Sequence, residues 1–466
     1  MIVWIIFTDK FFIYIIGGIF MKQSVIAMTI EKNGITSDEL DAMKTFSGKN
    51  AGICYLKETF TGAEALSAVK CTNRFLSTAK NGHHSIADHV KVEILFESCS
   101  KMMAIVLNSL QDYCTSEKSG RFTEMTGNSP RETELYSKWK GIFRQVLLEQ
   151  NPTIDDKSLS GYVRAKSGDE TAIVENGVCD SYSELVEQAR ETLTLPSEKM
   201  AQENARYILS IFTHSTTFGY TTSLRQWNYI HDWVEKYLAG TKDDNFFDQN
   251  LREEMTELRD FIRGNLYVED LRDTKGRCFE FLTDNAGVGK HPMSSIDMDV
   301  NELEVAGVAY TISYFCSYCS IAQSERHRTL KYFMSMNKLC PTEYGFFTPD
   351  FIVGSNWESE WLEDLESVKD LIPQATLIKI VETGFIGDFL LKCKERLCGA
   401  AQFETMTVVH DIADEFVRNR HVNDVVDAYV SEFADSDGRL KTKCEMCGGC
   451  KLQCFHGAKN ALSRNF

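Results

Sequence analysis

From Val90 the chain alternates: Val90, Val92, Ile94 and Phe96 are apolar, with Lys91 and Glu93 between them. That period-two pattern, entered from the polar run Asn81–His89, predicts a half-buried strand after a turn. An apolar, helix-like stretch from Met102 to Leu110 follows, and then the polar run Ser116–Phe122. Residues Arg131 to Pro196 read as charged and mostly helical. From Met200 to Tyr237 apolar residues recur at helical spacing, with Arg206 and Arg225 embedded among them.

Composition then shifts. Gly240–Asp244 opens a charged helix-like segment, and Gly264–Gly289 is rich in turn residues, which places a boundary near residue 265. Beyond it the order of features returns: a Gly289-Lys290-His291 turn, an apolar stretch Val305–Ile321, the basic tripeptide Arg326-His327-Arg328, and a helical region through Arg396. The repeat is weak and unevenly spaced, so the pattern is no solenoid. It points to an old duplication whose halves have lost different parts.

Length and charge narrow the class. The 466 residues hold enough for two or three domains, and 67 acidic against 50 basic residues give a net charge of −17. Such a balance argues against a nucleic-acid-coating or anionic-membrane surface, while leaving room for an anionic small molecule held by a few converging arginines. Met1–Phe20 is apolar but broken by Thr8, Asp9 and Lys10, which suits neither a spanning helix nor a signal peptide. It reads as a non-folded or mis-assigned extension, with Met21 or Met28 as candidate starts.

Fifteen cysteines are an odd count, scattered except for Cys444, Cys447, Cys450 and Cys454, which reads as reduced cytoplasmic thiols plus one cluster. The cluster's spacing, with Gly448-Gly449 inside it, suits four thiolates around zinc or an iron–sulfur centre, although Phe455 stands where a proline is usual for the latter. Cys316 and Cys319 lie in an apolar run and read as buried thiols. His83, His84 and His89 lack helical i, i+4 spacing and sit in a turn, against a zinc site.

Five ordered motifs resemble the flavin-dependent thymidylate synthase family, divided here between the halves. Gly82-His83 with His89, Glu117-Lys118-Ser119-Gly120-Arg121-Phe122, and Ala205-Arg206-Tyr207 fall in the first; Gln323-Ser324-Glu325-Arg326-His327-Arg328 and Arg396 followed by Ala401-Gln402-Phe403-Glu404 fall in the second. Where the first half should carry Arg-His-Arg it has Ser109-Leu110-Gln111, and where the second should carry Ser-x-Arg-Tyr it has Lys331-Tyr332-Phe333-Met334. Each half lacks what the other keeps. The chain is similar to a fused, double-length version of the enzyme.

The resemblance implies an α+β fold of two homologous halves, each a small antiparallel sheet with flanking helices, arranged as a pseudo-dimer: 21–264, 265–440 and a Cys-rich tail, 441–466. It implies reductive methylation of dUMP to dTMP with FAD, methylenetetrahydrofolate and NADPH. Arg396 matches the arginine that ionises the uracil N3, as carbanion chemistry at C5 requires a cation beside the anion. Gln323, Arg326, Glu117, Ser119, Gly120, Arg121 and Arg206 match the nucleotide site, where guanidinium forks suit a phosphate. Arg326, His327, Arg328, Arg225, Ser223, His83 and His89 match the flavin site.

Three departures stand out: Ser223 replaces an asparagine, Phe122 a tyrosine, and Lys369 an Ala-Arg pair. They fit one complete composite site and one degenerate one, and a homodimer of such chains would restore the family's four-unit assembly. Taken alone, Arg326–Arg328 also suits a solvated helix end, and Arg396 a charged surface run from Lys392. The alternatives are a non-catalytic nucleotide- or flavin-binding relative, an enzyme adding a different one-carbon group to a pyrimidine nucleotide, and an interaction module centred on the cysteine tail.

Overall fold

The computed structural model describes residues 22–27, 30–32, 34–55, 67–81, 83–110, 112–120, 123–167, 183–240, 245–272, 309–399, 401–422 and 424–446. The extension before residue 21, Gly82, Gln111, Arg121, Phe122, most of the expected linker and the tail beyond Met446 lie outside these. The described chain mixes helices with two antiparallel sheets.

The first sheet contains β1 (Lys22–Ala27), β2 (Ile30–Lys32), β3 (Lys91–Cys99), β4 (Cys114–Glu117) and β5 (Thr216–Ser223), ordered β2-β1-β3-β5-β4. Val92, Ile94 and Phe96 of β3 point inward, as their alternation predicts, and Phe96 stacks on Phe218 of β5 at 4.7 Å. Helices α1 (Ser37–Tyr55) and α2 (Ala68–Lys80) precede β3, and α3 (Lys101–Asn108) follows it, begun by Ser100, whose hydroxyl accepts from the Met103 amide at 3.0 Å. Between β4 and β5 run α4 (Pro130–Gln150), α5 (Asp156–Ser167), α6 (Ser183–Thr192) and α7 (Pro196–Ala205); after β5 come α8 (Leu224–Gly240) and α9 (Phe246–Asn265).

The second sheet, β6 (Ala309–Ser317), β7 (Lys331–Ser335) and β8 (Leu377–Phe385), is ordered β6-β8-β7. Helix α10 (Tyr318–Ser324) follows β6 as α3 follows β3; α11 (Trp357–Ser367) precedes β8, and α12 (Ile386–Arg396), α13 (Phe403–Arg418) and α14 (Asp424–Phe433) follow it. The order β6-β8-β7 thus repeats β3-β5-β4. One detail repeats with it: the Ser100 amide and hydroxyl both bond the Glu254 carboxylate of α9, and the Ser317 amide and hydroxyl both bond the Glu404 carboxylate of α13.

The two sheets are joined where their 3-10 turns, Arg206–Ile208 and Lys369–Leu371, run out side by side. There the Ile211 amide donates to the Ile372 carbonyl (3.0 Å), and the Gln374 and Ala375 amides donate to the carbonyls of Leu209 (2.8 Å) and Tyr207 (2.9 Å). One apolar core holds Phe96, Phe218 and Trp227 of the first part together with Tyr318, Ile321 and Ile380 of the second. A second core packs Trp139 of α4 edge-on against Trp361 of α11 at 4.9 Å.

Two expectations are corrected. The stretch Met200–Tyr237 is not one helical run: α7 ends at Ala205, and Thr216–Ser223 is a strand whose Thr216, Phe218, Tyr220 and Thr222 point inward at period two. Its β-branched threonines favour that state, and the apolar residues on either side hid the change of period. The region leading to Arg396 is likewise broken by β7 and β8, where Ile378, Ile380 and Glu382 alternate inward. Val305–Ile321 also divides, with strand passing to helix at Ser317, so Cys316 is on β6 and Cys319 on α10; both thiols are buried as expected.

Candidate active site at the junction of the two sheets

The 3-10 turn after α7 buries Arg206 to 6% exposure, an unusual place for a guanidinium. It is accommodated by a polar chain. Arg206 Nη2 and Gln323 Nε2 both donate to the side-chain oxygen of Gln402, whose amide nitrogen donates to the Tyr207 hydroxyl. Tyr207 donates to Glu404 at 2.7 Å, and Glu404 accepts from the Ser317 amide at 2.7 Å and its hydroxyl at 2.5 Å. The first part supplies Arg206 and Tyr207, the second Gln323, Gln402, Glu404 and Ser317.

Burial opposes the charge of Arg206, but Cys319, Glu203, Tyr207 and Glu404 around it reverse the balance and raise its pKa. Burial pushes the Glu404 carboxyl up, against the bonds from Ser317 and Tyr207 and the charge of Arg206. Arg206 keeps one donor, Nε, with no hydrogen-bond partner among the described residues.

Arg396, the last residue of α12, donates from Nη2 to the Gln323 carbonyl at 3.4 Å. Gln323 therefore stands between the two arginines. Lys392, one turn earlier, is not part of a charged surface run: it is fully buried, 2.7 Å from the equally buried Glu382, which also accepts from Tyr310 (2.6 Å) and Tyr314 (2.8 Å). Burying such a pair demands this many partners. Lys392, Glu382, Tyr207 and Gln402 were given no role from sequence, although the last two lie inside the quoted motifs; nothing in a lone lysine among Lys394, Glu395 and Arg396 announces burial.

On the first sheet, Glu117 closes β4 and pairs with Lys101 of α3. Ser119 holds the following turn through its carbonyl, which accepts from the Thr123 amide (3.1 Å) and hydroxyl (2.8 Å). Gly120 is buried against Arg206: a Cβ there would sit 3.4 Å from Arg206 Cδ and 2.3 Å from Met125 Sδ. The next residue, Arg121, lies outside the described residues.

Arg326 is exposed, and His327 is buried with its ring nitrogen 3.7 Å from the Glu395 carboxylate. Arg328 lies over the Tyr113 ring at 5.4 Å and 3.8 Å from Cys114 Sγ, on β4 at the edge of the first sheet. Arg225 and Ser223 form another cluster, both bonded to Asp88: Arg225 at 2.7 Å and Ser223 at 2.8 Å. The Ser223 hydroxyl also accepts from the Gln226 amide at 3.1 Å, so it is engaged in starting α8. Arg225 Nε has no hydrogen-bond partner among the described residues. His83 and His89 are exposed at the two ends of the turn before β3, while His84 between them bonds the Tyr229 hydroxyl at 2.8 Å.

Of the four clustered cysteines only Cys444 is described, partly exposed in a short helical turn, Lys443–Met446; Cys447, Cys450 and Cys454 lie outside the described residues. Among the described residues no group of three or more metal-ligating side chains converges, and no helix is long and apolar enough to cross a membrane.

A buried arginine, two amide side chains and a second arginine are gathered where the two antiparallel sheets of this α+β protein meet. Residues 42–233 match the family model described as thymidylate synthase complementing protein, and this segment belongs to that family, the flavin-dependent thymidylate synthases. The match takes in Glu117–Arg121, Arg206, Ser223 and Arg225 and ends within α8, so Gln323, Arg326–Arg328 and Arg396 lie beyond it. No curated protein matches the chain.

Proposed function

We propose that the protein is an FAD-dependent thymidylate synthase, methylating dUMP reductively with methylenetetrahydrofolate as carbon donor and NADPH as reductant. The observation that carries this reading is the shared bond of Arg206 and Gln323 to Gln402. Residues from motifs about 120 and 200 positions apart in sequence arrive at one atom, in a chain whose first part belongs to the family. The repeated strand order and the matched serine–glutamate bonds support two homologous halves facing each other as a pseudo-dimer.

In this reading Arg206, with Arg121 and Arg326, holds the nucleotide phosphate, and Gln323 meets the edge of the base. Arg396 stabilises the uracil anion left when the N3 proton departs, which makes C5 nucleophilic; a fixed cation in a water-poor site favours that charge strongly. Glu117, fixed by Lys101, with Ser119 and Gly120 closes over the nucleotide. Arg328 and Arg225, with His327, Ser223, His83 and His89 around them, would hold the flavin. When bound, the flavin supplies the hydride that completes the methyl group. The tail cysteines would hold zinc or an iron–sulfur centre apart from this chemistry.

The test is dUMP-dependent oxidation of the reduced flavin. Arg396→Ala and Arg206→Ala should abolish it, by 100-fold or more for a cation at developing charge, with circular dichroism unchanged. Full turnover by Arg396→Ala would overturn the assignment.

A further inference from the structure

Glu382 and Lys392 form a buried ion pair at a place where the first part of the chain has none. Glu382 lies four residues before α12 begins, on β8 opposite Ile312 of β6 and Tyr332 of β7; Tyr220 lies four residues before α8, on β5 opposite Ile94 of β3 and Thr115 of β4. Lys392 is the seventh residue of α12, and Ile230 the seventh of α8. The first part therefore fills this place with two uncharged side chains, Tyr220 and Ile230, both fully buried. The fold does not need charge there, and a buried pair holds a fold together no better than apolar side chains of similar volume. One turn on, the eleventh residues of the two helices are Arg396 and Val234. The ion pair accompanies the arginine and is missing where the arginine is missing.

What the pair supplies is direction. Glu382 accepts from Lys392 at 2.7 Å, from Tyr310 at 2.6 Å and from Tyr314 at 2.8 Å, so its carboxylate is held from β6 and α12 at once. The Lys392 ammonium also sits over the Tyr332 ring of β7 at 5.0 Å. A polar cluster satisfied in this way rigidifies its surroundings, whereas an apolar contact tolerates rotation and sliding. Lys392 and Arg396 are four residues apart on α12 and share one face of the helix. The rotation of α12 that seats Lys392 on Glu382 is the one that directs Arg396 Nη2 to the Gln323 carbonyl. Tyr332 registers the arginine as well: burial and Glu382 push its hydroxyl pKa up, and the Arg396 charge opposes them.

We infer that the Glu382–Lys392 pair is a positioning device for Arg396, fixing the rotation of α12 so that the guanidinium stays beside Gln323. The inference rests on the role proposed above for Arg396, and one arm of its test needs no ligand.

The double variant Glu382→Gln, Lys392→Met removes both charges and leaves an amide to meet Tyr310 and Tyr314. It should keep the urea midpoint of the parent, unlike Lys392→Met alone, which strands the carboxylate. In the ligand-free protein, phenylglyoxal modification of Arg396, followed by peptide mass, should be about five-fold faster in the double variant, the loss of one restraining hydrogen bond. Modification of the exposed Arg326 should be unchanged. With dUMP and reduced flavin, kcat should fall roughly 10- to 100-fold while KM for dUMP stays within about two-fold, because the pair acts on the guanidinium at the reacting base and not on the phosphate grip. A parental modification rate at Arg396, faster modification of Arg326 and Arg396 alike, or a parental kcat would overturn the inference. Glu382→Asp, which draws the carboxylate back by one methylene, serves with the same readouts if the double variant does not fold. Failure of the parent itself to turn over dUMP would count against the function proposed above, and the modification rates would still decide the positioning.

Discussion

Glu254 and Glu404 occupy matching places and are both bonded to a capping serine, yet their neighbours differ. Burial, with added repulsion from Glu257 and Glu253, outweighs the Ser100 bonds and lifts Glu254 to about 7; Glu404 has Tyr207 and Arg206 to restrain it as well. Because the folded value of Glu254 exceeds that of a free glutamate, the folded chain binds the extra proton. Its contribution to stability is full below about pH 4.5 and is lost as pH rises through about 7. The loss amounts to roughly 3 kcal/mol at most. Urea melts of Glu254→Gln across that range should show this part of the pH slope removed; a slope as steep as the parent's would refute the role.

Helices α3 and α10 each begin at a serine that bonds a distant carboxylate, so each start is fixed by a tertiary contact as well as a cap. Ser317→Ala should cost about 2–3 kcal/mol, combining a lost cap with a buried carboxylate deprived of donors. Ser100→Ala should cost about the same. Only Ser317→Ala should also raise the dissociation constant for dUMP, since Glu404 connects through Tyr207 to Gln402; equal nucleotide affinity in both variants would argue against that connection. These elements differ in how far the sequence discloses them. The alternation in β3 and the apolar run of α3 could be read directly, the first from its period of two and the second from the unbroken apolar residues Met102–Leu107, all of them buried. Strands β5 and β8 could not, since Thr216–Ser223 carries few large apolar residues and β8 buries Glu382 where the pattern wants an apolar side chain. At the site, the quoted motifs included Gln402, Tyr207 and Glu404, but their joint contact depends on the cross-connection at Ile211 and Ile372, which no local pattern encodes.

The two parts are less independent than a boundary near residue 265 implies. The core around Phe96 and Trp227 continues through Tyr318 and Ile380, and Trp139 donates to Asp364 at 2.9 Å across the second core. Neither sheet can lose its partner without exposing these rings, and a buried aromatic side chain taken out of its packing costs several kcal/mol. The two sheets should therefore unfold together. Differential scanning calorimetry should give one transition for both, with van't Hoff and calorimetric enthalpies in agreement. Saturating dUMP should move that single transition upward by mass action. Two resolved transitions, of which only one shifts with the nucleotide, would show that the halves fold separately and that the Arg206–Gln402–Gln323 contact does not bind them into one unit.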